Sequence, residues 1–134
     1  MKYLLILFIV TTGLKCSPKL TPDADWGRGR WVLVEMKGVP VQQSGSRRDV
    51  FINFEVEQKL FRGNGGCNQI HGTYTVDKNS IHFRDVISTK MSCNDIAFEN
   101  TFLSALANIN RYEIKGDDLL LKDNQEVLLI LSAK

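Results

Sequence analysis

The tightest constraint on the fold is where the apolar residues recur. They fall in short runs of period two, broken by turn residues, and only one stretch has helical spacing. In Trp31-Val32-Leu33-Val34-Glu35-Met36-Lys37, Trp31 and Leu33 lie on one face, with Val32, Val34 and Met36 on the other. Apolar residues on both faces indicate a strand partly buried on both sides, ended by Gly38-Val39-Pro40. Val50-Phe51-Ile52-Asn53-Phe54 is the next strand, and Lys59-Leu60-Phe61 follows after a turn. Thr73-Tyr74-Thr75-Val76 and Ile81-His82-Phe83 are joined by a hairpin turn at Asp77–Ser80. Arg111–Lys115 and Leu119–Leu121 flank a turn at Gly116-Asp117-Asp118, and Val127–Leu131 is the last strand, apolar on both faces.

The exception to period two is Asp95–Asn108. Phe98, Phe102 and Leu106 recur at four-residue spacing, with Ala105 and Ile109 beside them, which predicts an amphipathic helix. Asn94 or Ser92 is the expected cap, and Ser92-x-x-Asp95 approximates a capping box. Asp95 and Glu99 fall in the first turns, where acids favour the helix dipole. That structural role is preferred to acid–base chemistry for the pair. The predicted fold is mainly β: a small antiparallel barrel-like or rolled sheet of about eight strands with one packed α-helix. The chain's 134 residues suit one domain.

The N-terminus has a different character. Met1-Lys2 leads into the apolar run Tyr3–Val10, too short to cross a bilayer of about 30 Å as a helix, and residues 1–15 read as a secretory signal. Cys16 follows where bacterial lipoproteins carry their lipid-acceptor cysteine. Gly13 and Lys15 stand where a bulky apolar residue and a small residue are usual. Ordinary cleavage nearby, leaving Cys16 a free thiol, is the competing reading. Lipidation of Cys16 predicts an envelope protein whose partner is the membrane, and Ser17 after it resembles outer-membrane sorting in Gram-negative cells. Residues 16–29, with Pro18, Pro22, Gly27 and Gly29, read as a flexible tether, and Trp26 is a candidate to cover the domain's edge. Removing Lys2 and Lys15 lowers the basic count from 17 to 15, equal to the 15 acids. Arg47-Arg48, the one adjacent basic pair after the signal, reads as a solvated loop tip. With no basic patch, nucleic-acid binding is not expected.

Phe61-Arg62-Gly63-Asn64-Gly65-Gly66-Cys67-Asn68 is glycine-rich but leads into a polar, β-like segment, not into a helix with a Lys-Ser/Thr end. That argues against a phosphate cradle and for glycines that permit positive φ and close backbone approach. Its echo, Ser88-Thr89-Lys90-Met91-Ser92-Cys93, ends in the third cysteine. Three cysteines are an odd count for an exported chain, and lipid on Cys16 leaves Cys67 and Cys93 as an even pair. A disulfide between them closes a loop of 26 residues, worth about 3.5 kcal/mol in the chain-entropy model. Two buried free thiols, or a metal site from Cys67, His71, His82 and Cys93, are the alternatives. The spacing lacks the paired units of structural zinc sites, so no metal is expected.

These residues resemble the META domain family, which includes the heat-inducible HslJ-type lipoproteins of bacteria. The matching positions are Trp31, Leu33 and Gly38, the turn motif Gly65, Gly66, Cys67 and Asn68, and Gly72-Thr73-Tyr74. Ile81 and Phe83 follow, then Thr89, Met91 and Cys93, then Glu99 with Phe102 and Leu106, and at the end Tyr112 and Leu119-x-Leu121. The resemblance implies a small, barrel-like, mainly β domain over residues 30–134, linked to heat or drug stress. It implies no catalytic residues, and no cofactor is expected. The expected function is therefore a non-enzymatic, monomeric envelope lipoprotein facing the periplasm or cell surface, acting on an unknown envelope protein or small ligand. Two other readings stand beside it: a carrier holding a small apolar molecule at the barrel mouth, and a thiol-dependent enzyme.

Overall fold

The computed structural model describes residues 27, 29–45 and 49–134. The signal segment, Cys16, Trp26 and Arg47-Arg48 lie outside the described residues. The strands are β1 (Arg30–Met36), β2 (Val39–Pro40), β3 (Phe51–Glu55), β4 (Leu60–Asn64), β5 (Gln69–Asp77) and β6 (Ser80–Ser88). Helix α1 (Ile96–Asn108) intervenes before β7 (Arg111–Lys115), β8 (Asp118–Asp123) and β9 (Glu126–Ala133). The sheet runs β2-β1-β3-β4-β5-β6-β7-β8-β9, and β1 also pairs with β9. All the pairings are antiparallel. The sheet therefore closes on itself, which removes the free edges that an open sheet exposes. Among the described strands only β2 stays outside the ring, paired to β1 through Glu35↔Pro40 and Met36↔Val39. Sequence reading treats this segment as the end of β1. The tight turn at Lys37 and Gly38, with φ of 50° and 77°, sends it back as a hairpin instead.

The alternation read from the sequence sets the inside and outside of the barrel. Trp31, Leu33, Ile52, Phe61, Tyr74 and Leu129 are fully or almost fully buried. Large residues of this kind each contribute about 1.5–3 kcal/mol on burial. Phe54 meets Tyr74 edge-on at 5.0 Å between ring centres, and Phe61 meets Phe83 at 5.2 Å. Side chains thus occupy the interior, as in other small barrels.

The ring is thinnest where α1 intervenes. Strands β6 and β7 share one ladder pair, Ser80↔Arg111. Hydrogen bonds from Ile81 N to Asn110 O and from Tyr112 N to Asn79 O support it. The helix fills this side with Phe102, Ala105 and Leu106, followed by Ile109, which belong to the same buried cluster as the strands. Phe98, placed on the stripe by its spacing, is only half-buried. The expected capping box is absent: Asp95 is the N-cap and makes no side-chain cap hydrogen bond. Strands β4 and β6 extend furthest past their expected ends. Gly63 and Asn64 belong to β4 and not to a turn, and β6 reaches Ser88.

Candidate functional site

The motif residues converge at the end of the barrel where β1 and β4 finish and β3 and β5 begin. Between β4 and β5 the chain turns through Gly65-Gly66-Cys67-Asn68. Gly66 has φ of 114°, a conformation that side chains disfavour. Asn64 Oδ1 accepts the Gly66 N–H at 2.7 Å, and Asn68 O accepts the Gly65 N–H at 2.8 Å. The turn thereby aims two backbone donors at α1. Glu99 Oε2 accepts Cys67 N at 3.0 Å and Asn68 N at 2.6 Å, while Oε1 accepts Asn68 Nδ2 at 2.7 Å. Asn68 Oδ1 in turn accepts the Met91 N–H at 2.6 Å and the Thr89 hydroxyl at 3.0 Å. Glu99 and Asn68 are each 2% exposed, so the network is sheltered from competing water.

Gly65 is needed for a related reason. A Cβ there would lie 2.8 Å from Glu99 Cγ and Oε2. Cys67 and Cys93 form a disulfide with Cα atoms 6.0 Å apart, a usual separation. The structure therefore brings together Gly65, Gly66, Cys67, Asn68, Thr89, Met91 and Cys93. Met91 enters through its backbone, and its side chain is exposed. The two thiols are bonded to each other, which removes the free-thiol and cysteine-metal alternatives in this state. His71 and His82 lie exposed on β5 and β6. Among the described residues, no three His, Cys, Asp or Glu side chains cluster to hold a metal ion. Sequence reading placed Glu99 at the helix dipole; its role as a buried acceptor for the turn depends on a contact 31 residues away.

The clamp and disulfide form one wall of a half-open cleft of about 610 Å³. Its other walls are the β1–β2 hairpin, the segment around Val50, and the start of α1. Met36, Val39, Pro40, Val41, Val50 and Phe98 give it an apolar lining. Asp49 and Asp95 also line it. Asp49 Oδ1 accepts the Ser44 backbone N–H and the Ser44 hydroxyl, each at 2.8 Å. The backbone bond is the main reason the Asp49 carboxyl titrates below its usual value of 3.8.

Fold and site define a class: a small antiparallel barrel whose one helix among the described residues is locked, by a buried carboxylate and a disulfide, onto a glycine-rich turn. The META domain model matches residues 24–134, and the chain belongs to the META domain family. Solved structures share the fold at low identity. A protein solved by NMR is 19% identical, with TM-score 0.67, over 85% of this chain and 96% of that one. A protein from Burkholderia xenovorans, also solved by NMR, is 17% identical, with TM-score 0.67, over 96% and 99%. A DUF4847 family protein from Bacteroides vulgatus is 18% identical, with TM-score 0.61, over 81% and 94%. No curated protein matches the chain.

Proposed function

We propose that this META domain protein is a non-enzymatic lipoprotein of the cell envelope, anchored through Cys16, that acts by binding at the cleft beside its disulfide. A protective role under heat or drug stress belongs to the same proposal. The cleft carries the reading. It has the volume and apolar lining of a small-molecule or partner site. Its back wall is braced by a disulfide and three hydrogen bonds to Glu99, so little ordering is left for the moment of binding. The candidate catalytic groups are engaged elsewhere. The cysteine sulfurs are bonded to each other, and Glu99 holds the turn. A carrier of small apolar molecules is the narrower form of the proposal, favoured by the cleft's lining. The filled barrel interior directs such a ligand to the mouth.

Two measurements test the reading. The first is the intact mass of the chain from the membrane fraction, alkylated with and without reduction. The expected mass is that of a chain starting at Cys16 with acyl groups, with two thiols appearing only after reduction. An unacylated chain would remove the anchor. The second is native mass spectrometry of the purified protein against a Val39→Asp variant, whose substituted residue is 65% exposed and outside the core. A bound species held by the native chain and lost from the variant is expected. Turnover that depends on Asp49 or Glu99, with no bound species, would overturn the binding reading.

A further inference from the structure

The outer wall of β1, β3, β4 and β5 carries a second set of polar groups, away from the cleft. The register places Arg30 beside Asn53, Asn53 beside Arg62, and Arg62 beside His71. Paired residues on neighbouring strands point to the same face, and Trp31, Ile52 and Phe61 next to them are buried. Arg30, Asn53, Arg62 and His71 therefore form one row across the outside. Asn64 and Gln69, paired with each other two residues along, sit on the same wall. A depression of about 330 Å³ opens here, lined by Arg30, Phe51, Asn53, Arg62, Asn64 and Gln69 with the Gly63 backbone, and among the described residues no carboxylate lines it.

The two guanidinium groups are held in place, yet both can accept a further partner. Arg30 lies over the Phe51 ring, 3.6 Å from its centre, and its Nε is buried without a hydrogen-bond acceptor. Arg62 is held at Nε by Glu55 Oε1 at 2.7 Å, and its side chain is 70% exposed. The side-chain amides of Asn53 and Gln69 make no hydrogen bond to another described residue. Asn64 uses only Oδ1, toward Gly66 N. Strands lie about 4.8 Å apart, so the arginine backbones are separated by roughly 10 Å with Asn53 between them, Arg30 leaning toward Phe51 and Arg62 toward Glu55. A planar fork is suited to a carboxylate or phosphate held through two N–H bonds. Side-chain amides, which donate and accept, are suited to hydroxyls.

From this juxtaposition we infer that the wall is a binding site for an acidic saccharide. The sugar's carboxylate or phosphate lies between Arg30 and Arg62, and its hydroxyls meet Asn53, Asn64 and Gln69. The site uses neither the apolar lining of the cleft nor the Cys16 anchor.

The test is a titration of the full chain, followed by backbone amide NMR, with three probes: trigalacturonate, neutral maltotriose and inorganic phosphate. Trigalacturonate should shift the signals of Asn53, Arg62 and Gln69 saturably and leave Val39 and Phe98 unmoved. Maltotriose should not bind. Arg62→Gln should weaken trigalacturonate about tenfold or more, as expected for losing a charge-assisted contact. Arg62→Lys should recover only part of the loss, because the charge returns without the fork. The unperturbed spectrum of each variant reports that it is folded. Phosphate binding as tightly as trigalacturonate would overturn the saccharide assignment in favour of a bare anion site. Shifts confined to the cleft, or none on the wall, would overturn the site itself.

Discussion

Glu99 serves two elements at once. On the helix it faces inward beside Phe102, and at the turn it completes the donors of Cys67 and Asn68. An unpartnered buried donor costs about 1–3 kcal/mol. Glu99→Ala leaves three, so a loss of at least about 3 kcal/mol is expected, read as a lowered urea midpoint. Glu99→Gln tests whether shape suffices. Its NH₂ would face an N–H donor on one side, so it should recover part of the loss and not all. A Glu99→Ala midpoint equal to the native one would remove the clamp from any structural role. Asp49 makes a prediction about acid. Its folded pKa is lowered, chiefly by the Ser44 backbone N–H, so its stabilising effect is present above the unfolded value of 3.8 and is lost as pH falls through the lower folded value. Thermal unfolding of Asp49→Asn between pH 6 and 2 should therefore vary less steeply with pH than that of the native chain. Identical profiles would show that the Ser44 bonds do not bind the carboxylate in solution.

At the scale of elements, the contrast lies between what adjacent residues dictate and what distant ones do. The alternation in Thr73–Val76 and Arg111–Lys115 made those strands legible, because a buried face leaves a period-two trace, and the apolar run of Trp31–Met36 was legible as a strand buried on both faces. The stripe of α1 was legible for the matching reason. Short-range patterns carried no trace of β2, whose two residues are a strand only because the Lys37–Gly38 turn folds them back on β1. The start of α1 misled in another way. Ser92 resembled a cap, yet the chain there is tied down by Cys93, and the helix begins at Ile96 after an N-cap, Asp95, that makes no side-chain cap bond. The disulfide thus fixes the start of a helix that lacks its usual local signal. Cys67→Ser and Cys93→Ser should each lower stability by about 3.5 kcal/mol, the chain-entropy value for a loop of 26 residues. The double variant should cost no more than either single one, because both remove the same bond. Additive losses would mean that each cysteine stabilises through packing of its own.

On the scale of the whole molecule, closure of the ring brings the two ends of the domain together. Strand β9 pairs with β1 from Trp31↔Ala133 to Met36↔Leu129, and Lys134 N donates to Arg30 O at 2.9 Å. Neither end can form its part of the barrel without the other, which makes this a fold of long-range contacts and predicts slow folding for its size. The chain is therefore held by its circuit of strands and not by where it starts. A permuted domain in which Lys134 runs into Gly29 through a short glycine linker, opened between Glu57 and Gln58, should fold to the same barrel. Those two residues are exposed in the β3–β4 turn, where breaks are tolerated. A break between Cys67 and Asn68 should behave differently. The new termini would fall on the two backbone donors that Glu99 accepts and beside the bonded cysteine. Far-ultraviolet circular dichroism and thermal melting of the two permutants decide the matter. A native-like melt for the first and a strongly lowered one for the second is expected. Equal stability would show that the ring alone maintains the fold and that the clamped turn is held for binding and not for stability.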